Sequence, residues 1–126
     1  MTAKRGAGFT LIEILVVMSI IALLLALAVP RYFKSVTRAQ EAVLKENLTL
    51  IRDALDKHYA DTGKYPANLA ELVSKRYLRK LPEDPVTGSG ATWIIAPPDR
   101  PEKGGVFDVK SGAAGNSLSG VPYSEW

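Results

Sequence analysis

The chain of 126 residues carries 16 basic and 13 acidic side chains, a formal net charge of +3, and is 47% hydrophobic. This length suits one small domain, and the lack of cysteine excludes a disulfide scaffold, a thiolate zinc site, an iron–sulfur cluster and a thiol nucleophile. A single histidine, His58, is too few for a histidine-rich metal site or a Ser-His relay. The hydrophobic residues are unevenly spread. Of the 21 residues from 9 to 29, 18 are hydrophobic, against 39% of the rest, which is lean for a domain that folds alone.

Residues 1–8 form a short polar leader with Lys4 and Arg5, ending Gly6-Ala7-Gly8. The run FTLIEILVVMSIIALLLALAV that follows would span about 31 Å as a helix, the thickness of a hydrocarbon core. Pro30 and Arg31 mark its far edge, and Glu13 is its one charge. From the residues alone three readings compete: a plain transmembrane anchor, a secretory signal cut at Ala26-Leu27-Ala28, and a processed segment that keeps its apolar helix. The run is long for a signal peptide. A carboxylate within it costs several kcal/mol unless it finds a partner, so a use for Glu13 is expected. Lys4 and Arg5 on one flank are opposed by Arg31, Lys34 and Arg38 on the other, so charge does not set the orientation.

Gly8-Phe9-Thr10-Leu11-Ile12-Glu13, set between a basic leader and an apolar helix, resembles the class III signal of type IV pilins and type II secretion pseudopilins. The resemblance implies cleavage after Gly8 by a prepilin peptidase and N-methylation of the new terminus, Phe9. It also implies an assembly role for Glu13, whose carboxylate would meet the α-amine of a neighbouring subunit. Amine and carboxylate lie one helical turn apart, and desolvation between packed helices strengthens their attraction. Pro30 falls where the family carries proline. It kinks or melts the helix on assembly, or simply marks the membrane edge; the two readings have equal standing. Ala22, Ala26 and Ala28 offer small surfaces for close helix approach.

Over residues 31–61 the apolar period is helical. Leu44, Leu48, Ile51, Leu55 and Tyr59 form one line, flanked by Val43, Leu50 and Ala54. No glycine or proline interrupts this stretch, so the membrane helix is predicted to continue into it, with Gly63 as C-cap and Pro66 beyond. Asn68-Leu69-Ala70-Glu71 reads as a capping box opening a short helix over residues 68–79. Lys75, Arg76, Arg79 and Lys80 cluster at its end. Such a cluster is a solvated helix terminus, a charge register between subunits or a nucleic-acid patch, and only Tyr77 interleaves as an aromatic. His58 reads as a packed or surface histidine. Ala54-Leu55-x3-Tyr59-x3-Gly63-x-Tyr65-Pro66 and Leu81-Pro82-x-Asp84-Pro85 resemble stretches of the major pseudopilins and favour the secretion branch.

Proline and glycine concentrate after residue 81. Residues 91–96 (ATWIIA) and 106–110 (VFDVK) are strand-like, a third strand is predicted over 118–123, and Trp93 and Phe107 are expected in the core. The segment from Phe107 to Asn116 resembles the calcium-binding loop of major pseudopilins. Asp108 is the single side-chain candidate, because Ala114 stands where the family has an acidic ligand. Phosphate loops, catalytic triads and nucleotide fingerprints are absent, so the chain reads as a non-enzyme.

Together these features predict an α+β, type IV pilin-like fold: a long N-terminal transmembrane/stalk helix packed on a small antiparallel β-sheet. Residues 1–8 are the leader, 9–29 the transmembrane and assembly helix, and 30–126 a periplasmic globular domain with helices 31–62 and 68–79 and a sheet within 91–123. The implied role is a structural subunit of a type II secretion pseudopilus at the bacterial inner membrane. Its implied partners are copies of itself, other pseudopilins, the prepilin peptidase and the inner-membrane assembly platform, and no nucleic acid. The alternatives are a type IV pilus subunit for adhesion, motility or DNA uptake, and a secreted binding protein released after Ala28.

Overall fold

The computed structural model describes residues 8–126, so the leader before Gly8, with Lys4 and Arg5, lies outside the described residues. Two compact units are present, one ending at Val36 and one spanning Thr37–Trp126. In chain order the elements are α1 (Leu11–Thr62), α2 (Leu69–Ser74), β1 (Ile94–Ala96), a 3₁₀ turn (Pro101–Lys103), β2 (Asp108–Lys110) and a second 3₁₀ turn (Tyr123–Glu125). The predicted α+β class holds.

A leucine- and alanine-rich sequence without internal glycine carries α1 through 52 residues, Pro30 included. Pro30 has no amide to give the carbonyl four residues earlier, yet the helix continues past it. Gly63 ends α1 in the left-handed region (φ +76°), its amide donating to Tyr59 O at 2.8 Å. In the first unit α1 has an 18-residue window of mean hydropathy 2.9, none of it buried. Ser19 donates its hydroxyl to Leu15 O at 2.7 Å, so this polar group is satisfied within the helix.

The second unit, the head, has one core. Leu44, Leu48, Ile51, Ala54 and Leu55 of α1 pack with Leu69 and Leu72 of α2, Trp93, Val106, Val109, Ala113 and Tyr123. The buried line of α1 ends on His58 and not on Tyr59, which is partly exposed and stacks on Tyr65 with ring centroids 4.5 Å apart. Spacings of 4, 3, 4 and 3 hold a straight edge of a 3.6-residue helix better than the predicted run ending in a second 4.

Helix α2 is shorter than the predicted 68–79. Asn68 caps it, its side chain accepting from the Glu71 amide at 3.0 Å. It stops at Ser74 because Arg76 takes φ +66°. Arg76 N–H then donates to Val73 O and Tyr77 N–H to Leu72 O, the paired bonds of a Schellman termination that usually has glycine at its left-handed position.

The sheet is also smaller than predicted. Strands β1 and β2 pair antiparallel with Ile94 opposite Lys110, Ile95 opposite Val109 and Ala96 opposite Asp108. Residues 118–123 form no third strand. They contribute a single bridge, Asn116 to Pro122, and the start of the 3₁₀ turn. Phe107 is half exposed, because the bend at residue 107, just before β2, breaks the alternation and leaves Val106 and Val109 both turned inward. Trp93 is buried as expected, its indole N–H donating to Pro82 O at 2.9 Å. Gly112 lies against the chain at Thr92, where an added Cβ would come 1.9 Å from the Thr92 carbonyl oxygen.

The left-handed arginine generates a prediction. Arg76→Gly removes a Cβ conflict of about 1–2 kcal/mol, partly offset by the freedom glycine restores to the unfolded chain. A net gain of roughly 0.5–1 kcal/mol is expected in urea unfolding of the full chain in detergent, and a loss would show that the arginine side chain holds this turn.

Candidate functional site

The residues singled out at the N-terminal end of α1 come together around one helix start. Gly8 and Phe9 are exposed, with Phe9 at 76%. Thr10 N–H donates to Glu13 Oε2 at 3.2 Å, and Glu13 N–H donates to Thr10 Oγ1 at 3.1 Å. This reciprocal pair is a capping box, and Ile14 N–H donating to Thr10 O at 3.2 Å begins the helical ladder. The signal was present in the sequence as Thr10-x-x-Glu13, but the sequence reading gave Glu13 only an intermolecular role. Glu13 thus sits in the first turn of α1, where the aligned N–H dipoles favour an anion. Phe9, Ile12, Val16 and Val17 surround it with apolar surface. Pro30 lies 17 residues further on, inside the same helix.

In the head, Asp108 at the start of β2 faces Arg52 of α1. Arg52 Nε donates to Asp108 Oδ1 at 2.8 Å, and its terminal nitrogen donates to Val109 O at 3.0 Å and Trp126 O at 2.7 Å. Asp108 Oδ1 also accepts from the Val109 amide. Ser111 of this loop is engaged too: its Oγ donates to the buried Asp84 Oδ2 at 2.5 Å. A calcium ion at Asp108 does not fit this donor set, in which the single carboxylate already meets a cation. Among the described residues no group of three or more His, Asp or Glu side chains is placed to hold a metal ion.

Residues 3–29 match the family described as the prokaryotic N-terminal methylation motif. The whole chain is 37% identical to the type II secretion system core protein G of Pseudomonas aeruginosa, covering 100% of this chain and 99% of the relative. The chain belongs to the type II secretion system core protein G family. The same family's member from Dickeya chrysanthemi is 31% identical over 82% of this chain and 76% of its own. The fimbrial protein EcpC of Eikenella corrodens is 32% identical over 70% of this chain and 59% of its own. No solved structure matches. Family membership supports a pseudopilin role, and an uncovered apolar helix at the N-terminal end fits a membrane-anchored subunit facing the periplasm.

Two polar residues of α1 that no sequence motif marks, Arg52 and Glu41, hold the C-terminal part of the head. Glu41 Oε1 accepts both the Tyr123 hydroxyl at 2.9 Å and the Leu118 amide at 2.8 Å, tying the C-terminal segment to the helix. Burial, and then this hydrogen bond, push the Tyr123 phenol above its ordinary pKa. Their partners lie far away in the chain, so no local pattern announces them.

His58 is buried, as a packed histidine. Its Nδ1 lies 2.6 Å from Lys64 O, and since a carbonyl only accepts, this network assigns the proton to Nδ1. Nε2 has no hydrogen-bond partner and lies 3.7 Å from Glu71 Oε1, which pairs with Lys75 Nζ at 2.8 Å. The basic cluster is therefore partly committed within the head. Lys75 serves Glu71, and Tyr77 donates its hydroxyl to Asp61 Oδ2 at 2.8 Å.

Glu71 supplies a pH test. The hydrogen bond from Lys75, then that from the Ala67 amide, hold its carboxyl below the ordinary 4.5. A lowered folded-state value means that the unfolded chain takes up the proton first as the solution is acidified. The Glu71 contribution is therefore complete above about pH 4.5 and fades as pH falls below it. Melting wild type and Glu71→Gln side by side should give a wild-type advantage near neutrality that shrinks below about pH 4.5. A gap constant across that range would remove the carboxylate from the account.

Proposed function

We propose that this chain is a structural, non-catalytic subunit of a type II secretion pseudopilus, made with a leader that a prepilin peptidase removes after Gly8. Phe9 becomes the N-methylated terminus, the apolar part of α1 holds the subunit in the inner membrane, and the head lies in the periplasm. Extraction from the membrane then exchanges lipid for the helices of neighbouring subunits, copies of this chain and other pseudopilins, on the inner-membrane assembly platform. The observation that carries the reading is the helix start. An apolar, uncovered helix opens with a carboxylate, Glu13, whose partners among the described residues are Thr10 and the first-turn dipoles. A neighbour's α-amine is a stronger partner than a backbone amide once water is excluded. Pro30 leaves one carbonyl of α1 without its helical donor, so the helix opens there at lower cost than elsewhere during packing.

The type IV pilus alternative draws support from the likeness to a fimbrial protein. A deletion strain separates the two. Loss of extracellular enzymes with intact surface motility supports the secretion role, and the reverse supports a pilus.

Two measurements test the assembly reading. Mass spectrometry of the mature chain should find N-methyl-Phe9 as the first residue, whereas a chain starting at Val29 sinks the proposal. Glutamine at position 13 retains the capping geometry but not the charge. Glu13→Gln is expected to insert in the membrane at wild-type level and to lose filaments at least about tenfold, in line with a desolvated charge pair worth more than 1.4 kcal/mol. Thr10→Ala, which loses a cap of about 1 kcal/mol and keeps the charge, should still assemble. Equal filament yield from Glu13→Gln would leave the carboxylate with a capping role alone.

A further inference from the structure

We infer that Arg52 is the resident cation of the C-terminal loop, joining α1, β2 and the Trp126 segment, so that the head folds without a bound metal ion. The guanidinium meets three oxygen atoms on two separate segments: Asp108 Oδ1 at 2.8 Å and Val109 O at 3.0 Å on β2, and Trp126 O at 2.7 Å. A carboxylate with main-chain oxygens is the kind of hard-oxygen set that a calcium ion gathers. Here a planar fork of N–H donors fills it, and each donor is aimed by the rigid guanidinium. The surroundings add to the positive charge. Lys110 Nζ lies 3.4 Å from the same Trp126 oxygen, and Lys45 Nζ sits 4.8 Å over the Trp126 ring. A divalent ion approaching Asp108 would meet a carboxylate oxygen already paired with the Arg52 guanidinium. Asp84, the other acid of this region, is fully buried and holds Ser111 and the amides of Val86 and Thr87.

Arg52 also sits one position after Ile51 on α1, beside the buried edge and half exposed. Its stem therefore covers part of the core while its head group reaches the loop. The ion pair spans 56 residues of sequence, so it closes the head in the way a metal bridge between distant segments would.

The test is thermal melting of the full chain in detergent, followed by the fluorescence of Trp93 and Trp126, with excess calcium or with EGTA. Wild type should melt within about 1 °C under the two conditions, and Arg52→Met should melt roughly 5–10 °C lower in both. Arg52→Lys, which keeps the charge but not the fork, should fall between them, and serves alone if the methionine variant does not fold. A wild-type Tm that drops by more than about 3 °C in EGTA would overturn the inference. So would an Arg52→Lys variant as stable as wild type.

Discussion

The head depends on the apolar edge of α1, because nothing else in it has enough surface to organise a core. Leu44, Leu48, Ile51 and Leu55 are at most 2% exposed, and each fully buried side chain of this size contributes about 1.5–3 kcal/mol. The sheet lacks that capacity: two strands of three residues make a ladder too short to persist alone. Helix α2, six residues long, is likewise below the length at which a helix stands unaided. Both are held because Leu69, Leu72, Val109 and Trp93 reach the same edge. Polar clamps then fix the orientation of what hydrophobic burial has gathered. Arg52 and Glu41 reach from α1 to the C-terminal segment, and His58 to the chain leaving the helix.

One helix thus meets two kinds of surroundings. In the head its apolar edge is covered by its own chain, while residues such as Leu15, Leu23 and Leu27 remain uncovered. An exposed apolar surface of this extent is not stable in water, and a lipid or protein surface is the kind of cover that suits it. The polar groups of that half are satisfied within the helix itself. Ser19 is satisfied by its own helix, and Glu13 is held only at the helix terminus, where its hydrogen bonds are weak enough to be traded.

The fold class and the N-terminal site were legible because their signals are local or periodic. A 21-residue apolar run, a glycine–phenylalanine junction and a carboxylate one turn later stand side by side in the chain, and the buried leucines repeat at helical spacing. What escaped was set by distant contacts or by unusual local choices. The left-handed Arg76 ends α2 five residues early, although nothing in arginine's preferences announces φ +66°. The edge position taken by His58 depends on a fraction of a helical turn. Phe107 turned outward because strand phase is decided by partners, and three-residue strands carry too little alternation to reveal it. Asp108 resembled a metal ligand while its true partner stood 56 residues upstream.

The hydrogen bond between Glu41 and Tyr123 spans 82 residues, which bears on how the molecule comes into being. The Glu41–Tyr123 contact cannot form until Tyr123 has been synthesised. At about 5–20 residues per second, that contact waits roughly 4 to 16 s after Glu41 is made, and the core on the Leu44–Leu55 edge stays incomplete until then. During that interval apolar surface that the finished head buries is still accessible. Closing the head is therefore the last step of making it, not an early one.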